Sequence, residues 1–231
     1  MRRKSLSPLL KYIDILTLLM KNRTIWIGGI LILSLGVLLF LSTLLRPASQ
    51  TSVGNSTLTS LSSDEYIRGA TSSPVTLIEY FDFECEACGA YYPLVKQLEE
   101  EFGTKVTFVA RYYPLPNHKN GLQAALAAEA AGRQDKFWEM HDLLFTRQKE
   151  WGEKQVETPE VFAQYAQEIG LDVERYKTDV ASAEVKARVQ RDLDSGRALG
   201  IQGTPTFFLN GEKIQNPQSY EAFKSLIESK L

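Results

Sequence analysis

VTLIEYFDFECEAC, residues 75–88, sets a β-branched and aromatic run directly before a pair of cysteines separated by two residues. Val75–Phe83 has the composition of a buried strand. From Cys85 or Glu86 the pattern turns helical and continues through Phe102, with Gly103 as a stop signal and Pro93 inside, where it should kink the helix. The two cysteines therefore follow a strand and open a helix. A thiolate at a helix N-terminus faces unpaired backbone N–H groups and the positive end of the helix dipole, so its pKa falls. In that geometry Cys85 is the exposed nucleophile and leaving group, and Cys88, one turn inside, is the resolving thiol. Two intervening residues let the sulfurs meet in a short, exchangeable disulfide.

Other readings of the pair stay open on these residues alone. A structural disulfide closing so small a loop stabilises little. A zinc site needs about four ligands at compact spacing, whereas the chain has only two further ligands of the nitrogen type, His118 and His141. The third reading is a pair of unconnected free thiols.

Working outward, Lys105–Tyr112 predicts a second strand, ended by Pro114 and Pro116. An Ala- and Glu-rich stretch follows, with helical spacing over Gly121–Gly132, Lys136–Arg147, Pro159–Ile169, Val173–Val180 and Ala183–Leu199. Thr206–Leu209 and Lys213–Gln215 flank Asn210-Gly211, the strongest short hairpin signal. Ser219–Lys230 closes the chain as an amphipathic helix. The order is strand, helix, strand, helical insert, hairpin, helix, which is a sheet with helices around it.

Gly203-Thr204-Pro205 stands directly before the apolar run Thr206–Leu209. With the cysteine pair upstream, the stretch from Asp64 to Leu231 resembles the DsbA-like branch of the thioredoxin superfamily. The resemblance implies an α/β thioredoxin fold with an inserted helical domain at about 117–200. It also implies that Pro205 is a cis-proline facing the cysteines, and that the Thr204 backbone pairs with an extended substrate strand. Glu79, six residues before Cys85, matches the family's buried acid beneath the active site. Burial should raise its pKa and let it exchange a proton with Cys88. Asp82 lies on the other strand face and is the weaker candidate. The stretches Tyr113–His118 and Phe137–His141 also resemble family segments and are read as structural, a loop beside the site and a packed helix face. One departure matters. Strongly oxidising relatives carry Pro-His between the cysteines, and here the pair is Glu86-Ala87. A carboxylate repels a thiolate, so Cys85 is expected to have a higher pKa, and the pair a less oxidising potential, than the Pro-His type.

The N-terminal part has a different character. Residues 1–50 hold seven Lys/Arg and one acid, and the remainder holds 19 basic and 27 acidic side chains. An acidic body argues against nucleic acid as a partner. The 22 residues Thr24–Leu45 carry no charge, and as a helix would span about 33 Å, enough for a bilayer core of roughly 30 Å. Six of the early basic residues precede this run, which predicts residues 1–23 inside, a retained single-pass anchor at 24–45, and the rest outside the cytoplasm. Residues 46–63, rich in Ser and Thr, read as a tether to a domain at 64–231. The leading expectation is an extracytoplasmic thiol–disulfide oxidoreductase that forms disulfides in reduced secreted or envelope proteins. The resemblance implies reoxidation by a membrane protein of the DsbB or VKOR type. The alternatives are a disulfide reductase or isomerase on the same fold, and a non-catalytic envelope adaptor using the Thr204-Pro205 edge. No metal and no cofactor is expected.

Overall fold

In the computed structural model the described residues are 60–231. The expected basic segment, anchor and nearly all of the tether lie outside them. Among the described residues no helix is long and apolar enough to cross a membrane.

Five strands form one mixed sheet: β1 (Tyr66–Gly69), β2 (Val75–Phe81), β3 (Val106–Tyr112), β4 (Thr206–Leu209) and β5 (Glu212–Lys213), in the spatial order β1-β3-β2-β4-β5. Only β2 and β3 run parallel. Their crossover is the helix α1 (Glu86–Phe102), as a parallel pair requires. The neighbours β1 on β3, β4 on β2 and β5 on β4 are antiparallel. The β4–β5 hairpin turns through Asn210 and Gly211, both at positive φ (50° and 81°), the conformation that an Asn-Gly pair accommodates. The final helix, α8 (Tyr220–Glu228), starts where the Ser219 hydroxyl accepts from the Ala222 N–H.

The period-two alternation of a strand sorts β2 between two faces. Val75 and Leu77 pack with Leu98 and Phe102 of α1, Phe207 of β4, and Phe223 and Ile227 of α8. Ile78 and Tyr80 face the opposite side, with Val109, Phe208 and Ile201. Glu79 shares the parity of Leu77, which sends its carboxyl toward α1 and the cysteines. Both sheet faces are covered, so every residue of β3 is buried.

Between β3 and β4 the chain makes six helices: α2 (Gly121–Gly132), α3 (Phe137–Thr146), α4 (Gln148–Trp151), α5 (Pro159–Glu168), α6 (Val173–Ala181) and α7 (Ala183–Ala198). The Ala-rich α2 is their hub. It packs against α3, α5, α6 and α7, and its small side chains allow close approach. The expected sheet with a helical insert is the architecture observed. Two elements have no counterpart in the sequence pattern. β1 is a half-exposed edge strand of four residues, too short to show a period. α4 is a single turn.

Candidate active site

Cys85 occupies the N-cap position of α1 in extended conformation, with φ −69° and ψ 119°. No side chain caps this helix end, so its first N–H groups remain available to a thiolate. Cys85 is 8% exposed and Cys88 is fully enclosed, and both are free thiols. The Thr204–Pro205 bond is cis, and the Cys85 thiol donates to the Thr204 carbonyl across 3.4 Å. Cys85, Cys88, Thr204 and Pro205, far apart in the chain, thus come together at one end of the sheet. Thr204 Oγ1 is buried without a hydrogen-bond partner. Once Cys85 ionises, that hydroxyl has a charged acceptor beside it.

The two sulfurs have opposite electrostatics. The Cys85 pKa is lowered to about 5, chiefly because the Cys88 thiol donates to its thiolate; burial opposes this, and the Thr204 side chain and the backbone N–H groups of Cys88 and Ala87 add to it. Cys88 is pushed well above the ordinary thiol range, first by burial and then by Cys85. One sulfur is held ready as a thiolate and the other as its donor.

Glu79 lies in the centre of the sheet, paired in register with Ala110 and Phe207. Burial raises its pKa to about 8, with repulsion from Glu99 and then Cys85 adding to it. Its carboxyl is not sealed in. It lines a narrow cavity with Tyr92, Lys96, Glu99, Ala110 and His141. Glu99, on the wall of that cavity, is bonded by Arg68 at 2.9 Å, and Arg68 also bonds Asp142 at 2.7 Å. A neutral, partly accessible acid of this kind can exchange protons near pH 7.

The turn that presents Cys85 is gripped by the helical insert. Gln148 Nε2 donates to the carbonyls of Phe83, at 2.7 Å, and Cys85, at 2.9 Å. Gly89 makes room for this clamp, since a Cβ there would lie 2.4 Å from Gln148 Oε1. Glu84, 3% exposed, accepts from the N–H of Asn120 at 2.6 Å and of Glu153 at 3.1 Å. Asp82 is also buried and lies past the end of β2, bonded to the loop around His118. Gln148 and Glu84 have no signal in the sequence, because a polar residue beside or inside a helical pattern reads as solvent-facing. His118, read as structural, lines the same groove as Cys85. Among the described residues no cluster of three or more His, Cys, Asp or Glu is arranged to hold a metal ion.

A parallel β–α–β unit, an antiparallel hairpin with a terminal helix, and a dithiol at the first helix facing a cis-proline define the thioredoxin fold, here with a helical insertion. The chain belongs to the thioredoxin family, whose profile matches residues 61–229. Oxidised BdbD from Bacillus subtilis superposes with a TM-score of 0.65 at 26% identity, over 72% of this chain and 92% of that one. The alpha-DsbA1 protein from Wolbachia pipientis gives a TM-score of 0.66 at 19% identity, over 76% and 94%, a likeness of fold. Among curated proteins, the Na(+)/H(+) antiporter NhaA 3 of Salinispora tropica is 38% identical over 166 residues, 71% of this chain and 24% of that one. The Na(+)/H(+) antiporter NhaA of Herminiimonas arsenicoxydans is 41% identical over 158 residues, 68% and 24%. The chain thus spans about a quarter of the length of these curated relatives.

Proposed function

We propose that the chain is a membrane-anchored, extracytoplasmic thiol–disulfide oxidoreductase that introduces disulfides into reduced secreted or envelope proteins. The observation that carries this reading is the Cys85 thiol at the N-terminus of α1, 3.4 Å from the carbonyl of Thr204 on the cis-proline loop, with Cys88 enclosed one turn behind. Likeness to BdbD and to the alpha-DsbA2 thiol-disulfide exchange protein of Wolbachia pipientis supports the chemistry. That curated relatives carry a similar body within chains named as Na(+)/H(+) antiporters supports a body held at a membrane.

In the oxidised enzyme a substrate thiolate attacks the Cys85 sulfur. The Cys85–Cys88 bond breaks, and its electron pair leaves on Cys88, which takes up a proton from Glu79. The substrate then holds a mixed disulfide to Cys85. A second substrate thiolate attacks the substrate sulfur of that bond, and Cys85 leaves as a thiolate, the form its surroundings favour. The substrate gains a disulfide, and the enzyme gains two electrons. A membrane oxidant of the DsbB or VKOR type removes them. Thr204 and Pro205 dock the substrate strand edge-on. Residues 24–45 are the anchor and 46–63 the tether, which raises the effective concentration of enzyme and oxidant at one membrane.

Thiol labelling in intact cells tests the direction. An oxidase keeps the Cys85/Cys88 pair mostly as disulfide, and a mostly dithiol pair would overturn that direction in favour of a reductase. Cys88→Ser should accumulate mixed disulfides through Cys85 with envelope proteins. An adaptor would show none, and would keep its function after Cys85→Ser. A reporter fused after Leu231 that is active only outside the cytoplasm tests the topology.

A further inference from the structure

The groove beside Cys85 contains a carboxylate–imidazole pair that the dithiol steps leave unused. Asp82 follows β2, and its side chain is fully enclosed. Oδ1 accepts from the Glu84 N–H at 2.9 Å, Oδ2 accepts from the Leu115 N–H at 2.7 Å, and Nδ1 of His118 lies 2.6 Å from Oδ2. The carboxylate also abuts the start of α2, where a Cβ on Gly121 would lie 2.6 Å from Oδ1. Held on every side, Asp82 cannot turn away, and so it fixes the imidazole of an otherwise loop-borne residue.

His118 keeps 21% of its side chain exposed and lines the groove that also contains Cys85. Its Nδ1 is committed to Asp82, and Nε2 has no hydrogen-bond partner among the described residues. The charged groups facing it come from several segments: Asp82, Glu84, Cys85 and Glu86 from the end of β2 and the start of α1, Lys119 from its own loop, and Glu153 and Lys154 from the loop after α4. Acids outnumber lysines in this set, and the nearest is the enclosed Asp82. The bond to Asp82 raises the His118 pKa against the opposing effect of burial, with Glu84 and Cys85 adding to it.

We propose that His118, fixed by Asp82 as its positioning residue, is the cationic partner of the Cys85 thiolate, supplying from the neighbouring loop the positive charge that Glu86-Ala87 does not supply between the cysteines. This rests on Cys85 being the sulfur that exchanges with the substrate. The role is electrostatic. When Cys85 becomes a thiolate the imidazolium is held more tightly, and when Cys85 enters a disulfide or is neutral that hold is released. Oxidation of the pair then releases, besides the Cys88 proton, a fraction of the His118 proton.

Because the chain has only two histidines, ring-labelled histidine in the full-length protein gives two titrating signals, separated by His118→Gln. His141, enclosed and with its pKa lowered by burial, serves as the internal reference. The titration is followed in wild type, oxidised and reduced, and in Cys85→Ala, whose position 85 is always neutral. The His118 midpoint is expected to be higher in the reduced wild type than in the other two by about half a unit to one unit, the scale for opposite charges at a partly exposed site. By linkage, His118→Gln raises the Cys85 thiolate midpoint, read from absorbance at 240 nm, by the same amount. Its equilibrium with glutathione then shifts about three- to tenfold toward the disulfide. Asp82→Asn lowers the His118 midpoint while leaving the ring in place. An identical His118 midpoint in all three forms, or an unchanged Cys85 midpoint in His118→Gln, overturns the proposal. Failure of the oxidoreductase reading looks different: no mixed disulfides and no substrate oxidation, whatever the two titrations do.

Discussion

Gln148 Nε2 donates to the carbonyl of Cys85 at 2.9 Å, from 63 residues along the chain, and to that of Phe83 at 2.7 Å. The helical insert therefore supports the turn that aims the reactive sulfur. Gln148→Ala strips two carbonyls of their donor and opens a void over Gly89. Urea unfolding should show a loss of about 1–3 kcal/mol. Gln148→Glu, which sets an acceptor against two carbonyls, should cost more than the alanine. Equal losses for the two variants would mean that the amide's donors are not what holds the turn.

Cys85 should titrate near pH 5, read by the thiolate absorbance of the reduced protein. The largest cause is the Cys88 donor, so Cys88→Ala should move the midpoint up toward the ordinary thiol value of about 8.5. Cys88→Ser keeps a hydroxyl donor and should move it less. If the two variants titrate together, the helix end rather than the partner thiol sets the value.

Glu79 keeps its proton in the folded protein up to about pH 8, whereas the unfolded chain releases it near 4.5. Stability is therefore full below the lower value and falls as pH rises through the upper one, by at most about 1.4 kcal/mol per pH unit. Glu79→Gln should remove this slope, and at pH 9 should be more stable than wild type by an amount on the order of a few kcal/mol. Parallel stability curves for the two proteins between pH 5 and pH 9 would rule this out. The same variant should slow attack of a substrate thiolate on the Cys85–Cys88 disulfide at pH 7 by about tenfold or more, since the proton donor to the departing Cys88 is gone.

Thr204 presents a buried hydroxyl with no partner beside the sulfur. Thr204→Val keeps the shape and removes that donor. The Cys85 midpoint should rise by about one unit or less, the scale of a single neutral hydrogen bond to a charge shared with other donors. Stability of the oxidised protein, which has no thiolate to accept from the hydroxyl, should be unchanged or slightly higher, because an unsatisfied polar atom is removed. A lower thiolate midpoint in the valine variant would contradict this account of the threonine.

Much of this is legible in residues 75–102. A β-branched run followed by a helical repeat fixes a strand and a helix, and the only two cysteines fall at their junction. Asn210-Gly211 marks the hairpin for an equally local reason, the positive φ of both residues. The helices of the insert show their spacing, and observed ends differ from expected ones by a residue or two. Properties that depend on distant segments are not legible. β1 is recognisable only through its pairing with β3. Gln148 and Glu84 are polar residues that look solvent-facing in a one-dimensional pattern, and only the approach of another segment gives them partners. His118 lies in a loop expected beside the site, but the sequence does not reveal that Asp82 fixes its ring in the groove that Cys85 also lines.

Glu84, buried next to the nucleophile and bonded by the N–H groups of Asn120 and Glu153, constrains any attempt to miniaturise this protein. Excising the stretch between β3 and β4 to leave a bare sheet-and-two-helix core would strip that carboxylate of both donors and withdraw the amide that braces the reactive turn. A trimmed scaffold would need new partners for Glu84 and a side chain at position 89 to fill the space that Gln148 leaves. Grafting the stretch Cys85–Cys88 onto a smaller relative would transplant the sulfurs without the framework that sets their acidity.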